Sequence, residues 1–290
     1  MNIRALIEDA AARLAAAELS YGHGTGNAWD EAVWLVLWRL GLPLDDLDGV
    51  AEREVDVPMQ AAVEALIDER ITTRKPAAYL TGEAWLQGVP FHVDERTIVP
   101  RSLIAEPLAD GTLDAWLAPD TTRVLDLCTG NGSLAVLAAQ AWPDVRIDAT
   151  DVSADALAVA ELNVQRHDLA SRITLRQGDG LAAARGAYDL ILCNPPYVNR
   201  ASMAALPAEY RAEPALALAG GADGMDFVRR LLRDAAVHLT PDGVLVLEIG
   251  HERAHFDAAF PRLEAVWLPT SAGDDQVLLL TRAALSGEAP

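Results

Sequence analysis

Val124-Leu125-Asp126-Leu127-Cys128-Thr129-Gly130-Asn131-Gly132 is the stretch on which the fold turns. A short apolar run of strand type enters a turn punctuated by two glycines, and Gly132 to Trp142 then reads as a helix. Moving outward toward the C terminus, the alternation repeats. Val145 to Thr150 reads as a strand, Ser153 to His167 as a helix, and Ile173-Thr174-Leu175 and Tyr188 to Cys193 as strands. Gly224 to Leu239 reads as a helix and Gly243 to Ile249 as a strand with a further helix behind it. Ala265 to Leu268 and Val277 to Leu280 supply the last strands. Strands alternating with helices predict a doubly wound α/β architecture built on a parallel sheet.

Toward the N terminus the pattern is helical. Leu6, Ala10, Leu14 and Ala17 fall on one face, and Trp34, Leu37, Trp38 and Leu40 on another, after a glycine-rich loop from Tyr21 to Asn27. A third helix is predicted from Pro58 to Thr72 with Ala62, Leu66 and Ile67 inward, broken at Lys75-Pro76. Between Tyr79 and Pro100, Gly82, Gly88 and Pro90 punctuate short segments, which suggests a hairpin. The predicted organisation is a helical N-terminal domain over 1–78, a hairpin linker over 79–100 and an α/β domain over 101–290.

Of the 290 residues 51% are hydrophobic, enough for a substantial core. Against 43 Asp+Glu stand 23 Lys+Arg, a net charge of -20. That argues against sequence-specific nucleic-acid binding, which rests on basic patches, and suits a basic protein partner; a simpler reading is solubility. Cys128 and Cys193 form no C-x-x-C pair and read as small buried hydrophobes at neighbouring strand ends. No apolar run approaches a membrane span, and Met1 to Ser20 is amphipathic rather than a leader, so a soluble cytoplasmic protein is expected, with no membrane contact.

Ligands of open α/β sheets bind at the carboxyl ends of the strands. Gly130 can take positive φ in the first turn, and Gly132 can let a ligand approach the backbone. The next strand ends at Asp151, followed by Val152, where a carboxylate can accept both hydroxyls of a ribose; the strand after that leads to Gly178-Asp179-Gly180, where an acid can accept from an adenine amino group. Ala135 replaces the third glycine of a pyrophosphate fingerprint, favouring a cofactor without a diphosphate.

Asn194-Pro195-Pro196-Tyr197 follows the strand Leu190 to Cys193. Two prolines stiffen the turn and remove its donors, leaving the Pro195 carbonyl and the Asn194 side chain as adjacent acceptors, a pair that fits the two N–H groups of a primary amide. Tyr197 offers a flat face for a planar group or a cation. An amide nitrogen resists deprotonation, so such a site must aim its lone pair at a reactive methyl carbon about 3–3.5 Å away. His251-Glu252-Arg253-Ala254-His255 matches a zinc-protease spacing, but it starts directly after a strand and has no suitable third ligand, so no metal is expected.

With these motifs the chain resembles the protein-(glutamine-N(5)) methyltransferases. The resemblance covers nearly all of it, including Val99-Pro100-Arg101-Ser102, Asp126 to Gly132, Asn194 to Tyr197, and Glu213-Pro214 with Ala219-Gly220-Gly221-Ala222-Asp223-Gly224. It implies a Rossmann-like class I S-adenosylmethionine methyltransferase sheet with a helical N-terminal domain for substrate recognition. Tyr21 to Thr25 with Trp29-Asp30-Glu31-Ala32 resembles the branch acting on the third protein of the large ribosomal subunit; a sister branch acts on the Gly-Gly-Gln motif of release factors. The resemblance implies S-adenosylmethionine held by Asp126, Cys128, Thr129, Gly130, Asn131, Gly132, Asp151, Val152, Asp179, Gly180 and Asn194, with Asn194 to Tyr197 catalytic. Gly180 departs from the bulky residue usual after the third acid, and Leu181 is the candidate to cover the adenine face. DNA adenine methylation, which uses a similar turn, would require a basic cleft at odds with the net charge.

Overall fold

The computed structural model describes residues 1–287. The helical part comprises α1 (Ile3–Ala16), α2 (Ala28–Arg39), the short α3 (Leu47–Val50), α4 (Val57–Thr73) and α5 (Ala77–Thr81). The three longer helices start where a side-chain oxygen accepts a free backbone N–H: Asn2 from Ala5, Asn27 from Asp30, and Asp56 from Met59. Their shared core takes in Ile7, Leu14, Leu35, Val36 and Ile67. The faces differ in detail from the sequence reading. Val63 rather than Ala62 is buried on α4, and on α2 the buried residues are Glu31, Ala32, Leu35, Val36 and the expected Leu37, with Trp34 and Trp38 only partly covered.

The hairpin pairs β1 (Glu83–Leu86) with β2 (Val89–His92) across Gln87-Gly88, both at positive φ as a two-residue turn requires. It is fastened by the fully buried Asn163, whose Oδ1 accepts from the His92 N–H at 2.7 Å and whose Nδ2 donates to the His92 and Asn131 carbonyls at 2.9 and 2.8 Å.

After α6 (Ala105–Ala109) come β3 (Arg123–Leu127), α7 (Ser133–Ala141), β4 (Arg146–Asp151), α8 (Ala154–Arg166), β5 (Ile173–Gln177) and β6 (Tyr188–Cys193). Two short helices, α9 (Arg200–Ala205) and α10 (Ala208–Arg211), precede α11 (Asp226–Asp234), β7 (Leu239–Glu248), α12 (Arg253–Ala259), β8 (Val266–Thr270), β9 (Gly273–Thr281) and α13 (Arg282–Ser286). The seven-stranded sheet runs β5-β4-β3-β6-β7-β9-β8. It is not wholly parallel: β9 inserts antiparallel between β7 and β8. The helix predicted to reach Leu239 is α-helical only to Asp234 and continues as a 3-10 turn to His238. Leu125, Ile191 and Leu245 face one core layer, Val124, Leu190 and Val244 the other, as a doubly covered sheet requires.

A cluster of buried ions joins the helical part to the segment around α10. Arg70 Nε lies 2.8 Å from Glu31 Oε1, and Arg74 Nε lies 2.8 Å from Glu209 Oε1. Arg101 donates twice to Glu213, at 2.5 and 2.7 Å, while the His23 ring sits 4.2 Å from that of Tyr210. Burial pushes the Glu213 carboxyl up, but His23 and Arg101 outweigh it and hold it at about 2. No helix among the described residues is long and apolar enough to cross a membrane.

Candidate active site

From β3 the chain steps outward to β4 and β5, then crosses back to β6 on the other side of β3 and steps on to β7, so the sheet's switch point lies between β3 and β6. A cavity opens there. Cys128 to Asn131 after β3, Asp151 and Val152 after β4, Asp179 and Gly180 after β5, and Asn194 and Pro196 after β6 all line it. Asp126, Gly132, Pro195 and Tyr197 are not in its lining.

Physical reasons separate the two groups. Gly130 has φ +55°, and nothing lies within 4 Å of the place a Cβ would occupy, so this glycine leaves the turn open toward a ligand. At Gly132, φ +81°, an added Cβ would meet the Ala160 Cβ at 3.2 Å; this glycine serves the close approach of α7 to α8, not of a ligand to the backbone. Asp126 is fully buried beneath the turn and accepts from the Thr129 hydroxyl and, at 3.0 Å, the Ala135 N–H. Burial pushes its carboxyl up to about 7, and among the described residues its other oxygen has no partner. Asp151 accepts from Gly130 N–H at 3.0 Å and Ser153 N–H at 2.9 Å, and burial raises its pKa.

Asn194 stands half-buried in the lining, and among the described residues neither its side chain nor the Pro195 carbonyl makes a hydrogen bond within the chain. Tyr197 is anchored instead. Its hydroxyl donates to Glu248 Oε1 at 3.0 Å, and its ring lies where a Cβ at Gly250 would approach within 2.5 Å. Glu248, at the end of β7, also accepts from Ser102 Oγ at 2.6 Å and Leu103 N–H at 2.9 Å. Burial raises both the Glu248 and Tyr197 pKa values, with their mutual proximity adding to the tyrosine's. One carboxyl therefore locks the Pro-Pro turn to the loop following the hairpin.

Several lining residues had no role assigned from the sequence. Arg96, Thr97, Ile98, Pro100 and Arg101 form a wall, so the segment read as a linker borders the site. Leu181 is not in the lining; Phe227 from α11 is, with its ring carbon 3.8 Å from the position of a Cβ at Gly180. The space that Gly180 leaves empty is thus met by an aromatic ring 47 residues later in the chain. Arg230 stacks over that ring at 5.4 Å and pairs with Asp179 at 2.8 Å. In the zinc-like pattern, Glu252 is occupied by Asn199 Nδ2 at 2.6 Å and His255 Nδ1 at 2.5 Å, bracing the segment after the prolines. Among the described residues no cluster of three or more His, Cys, Asp or Glu could hold a metal.

Residues 111–209 match the family model described as the methyltransferase small domain. The hMettl16 catalytic domain shares the fold, with a TM-score of 0.53 at 14% identity over 78% of this chain and 81% of that one. Nearer relatives span the whole length. A ribosomal protein uL3 glutamine methyltransferase of Bordetella pertussis is 59% identical over 98% of this chain and 96% of the relative, and one of Burkholderia pseudomallei is 53% identical over 96% and 94%. A third such protein, of Neisseria gonorrhoeae, is 49% identical over 99% and 96%. Identity of this size along the entire fold, from the helical segment to the last strand, makes this chain a member of the ribosomal protein uL3 glutamine methyltransferase family.

Proposed function

We propose that the chain transfers a methyl group from S-adenosylmethionine to the side-chain amide nitrogen of a glutamine in ribosomal protein uL3. The observation that carries this reading is Asn194, which lines the same cavity as Gly130 and Asp151 and whose side chain, like the adjoining Pro195 carbonyl, makes no hydrogen bond among the described residues. The relatives' names supply the substrate protein.

The cavity suits the cofactor. Asp151, fixed by two backbone N–H groups, is placed to accept from ribose hydroxyls; the open turn at Gly130 admits the amino-acid portion; Phe227 offers an apolar face for adenine next to Asp179. S-adenosylmethionine supplies a methyl group already activated on a sulfonium, so the protein need not activate a leaving group. Asn194 and the Pro195 carbonyl orient the amide by accepting its two N–H bonds, which fixes the direction of the nitrogen lone pair; as the nitrogen gains the methyl it becomes strongly acidic and gives up one of its protons to water. Asp126, beneath the turn, keeps Thr129 and the start of α7 in place. Tyr197 contributes as an anchored member of the turn, since its hydroxyl is committed to Glu248.

The experiment is incubation of the purified enzyme with free uL3 and methyl-labelled S-adenosylmethionine, followed by mass spectrometric mapping of the modified residue. One added methyl on a glutamine of uL3 is expected. Label on another residue type, or on a release factor in place of uL3, would replace this reading.

A further inference from the structure

A second groove lies in the helical part, away from the cofactor cavity. Trp29 at the start of α2, Trp34 five residues further on, and Trp85 of β1 line it together with Leu44, Leu47 and Asp30. Trp29 is 39% exposed and Trp85 46%, although exposing indole surface to water is unfavourable. No Lys, Arg or His is among the lining residues. Asp30 is the carboxylate in the lining, and the exposed Asp45, Asp46 and Asp48 flank the lining residues Leu44 and Leu47 in the sequence, which makes this stretch acidic.

We infer that this groove docks a basic, extended segment of the substrate protein by seating an arginine or lysine among Trp29, Trp34 and Trp85 beside Asp30. The inference rests on the proposal that uL3 is the substrate, and adds where on this chain it is gripped. Three indoles beside a carboxylate are the chemistry that recognises a cationic side chain: the ring faces attract the charge while the stem packs on the rings. Charge selects the occupant. A nucleic acid is repelled by this acidic stretch, and so is a second copy of this chain, which carries the same net charge of -20. Tryptophan is also the residue most enriched among those that dominate binding between proteins.

The groove is connected to the catalytic end. Gly24 lines it; the adjoining His23 is buried with Nε2 3.6 Å from Glu213, and Glu213 holds Arg101 of the cofactor cavity wall. Binding energy gained in the groove is shared by the ground and transition states, so it lowers the KM for the whole protein and leaves kcat as it is.

The test compares wild type, the Trp29→Ala/Trp85→Ala double variant and Asp30→Lys. Binding of fluorescently labelled free uL3 is measured by anisotropy, alongside methylation kinetics on whole uL3 and on a short peptide containing the mapped glutamine. Both variants should bind uL3 at least 10-fold more weakly, as expected when an anchoring aromatic or its charge partner is lost. The KM for whole uL3 should rise accordingly, with kcat and the peptide kinetics unchanged. Asp30→Lys should in addition weaken the salt dependence of binding. Unchanged binding in both variants overturns the docking site, as does an equal loss on peptide and whole protein, which would mark a general structural defect. Failure of wild type to bind uL3 overturns it too. If wild type binds uL3 through the groove without methylating it, the docking site stands and the proposed reaction falls.

Discussion

In the proposed reaction Asn194 brings one amide to bear on another, and that symmetry makes its replacement informative. Asn194→Asp keeps the shape and an acceptor but adds a negative charge beside a sulfonium. Such a charge favours the ground state over a transition state in which the positive charge is spreading. Cofactor affinity, measured by calorimetry, should be equal or tighter, while turnover should fall on the order of 100-fold; normal turnover would dismiss the amide-holding role. Asp126 predicts a pH effect. The folded protein raises this carboxyl to about 7 from an ordinary 3.8, so it holds the proton more tightly than the unfolded chain does. Its contribution to stability is therefore complete below the ordinary value and is lost as pH rises through 7. Asp126→Asn, which cannot ionise, should gain in Tm relative to wild type between pH 5 and pH 8. A constant difference would mean that this carboxyl does not titrate in that window.

At the scale of elements, glycines set how closely segments approach. Gly132→Ala would place a methyl 3.2 Å from Ala160 in a left-handed backbone and should cost about 1–3 kcal/mol, read as a lowered Tm. Gly220 is tighter still: a Cβ there would lie 2.7 Å from both the Gly224 carbonyl oxygen and the Tyr197 Cα. Val198 pairs with Ala219 at this crossing, through Val198 N–H to the Leu218 carbonyl at 2.8 Å and Gly220 N–H to the Val198 carbonyl at 2.9 Å. Gly220→Ala should therefore displace the Pro-Pro turn and abolish methylation while calorimetry still detects cofactor binding; wild-type kcat in that variant would remove the crossing from the mechanism. Local chemistry made much of this legible in the sequence. Strand ends, glycine turns and the paired prolines announce themselves within a few residues, and most of the positions that line the cavity at those strand ends follow from them. Phe227 against Gly180, Arg101 with Glu213 and Glu248 with Ser102 were not legible, because each joins residues far apart in the chain and no periodicity encodes such a pairing. The direction of β9 was equally silent: an apolar run of four looks the same whichever way it enters the sheet.

For the whole molecule, the buried ions bind the helical part to the catalytic part more closely than the predicted boundaries at 78 and 100 imply. Removing residues 1–78 would strip Glu209 of both Arg70 and Arg74 and Glu213 of its contact with His23, so the segment around α10 would lose the charges that hold it. The truncated protein should accordingly melt well below wild type and lose methylation; a wild-type Tm would show the two parts to be energetically independent.

The placement of β9 also bears on synthesis. Among the described residues β8 has only β9 as its sheet neighbour, and β9 is made after β8, so while β7 and β8 are emerging from the ribosome the open edge of β7 has no partner. An unpaired, apolar edge is a template for pairing with other chains. Translation halted just before Gly273 should yield an aggregating product even though every residue lining the cofactor cavity has already been made.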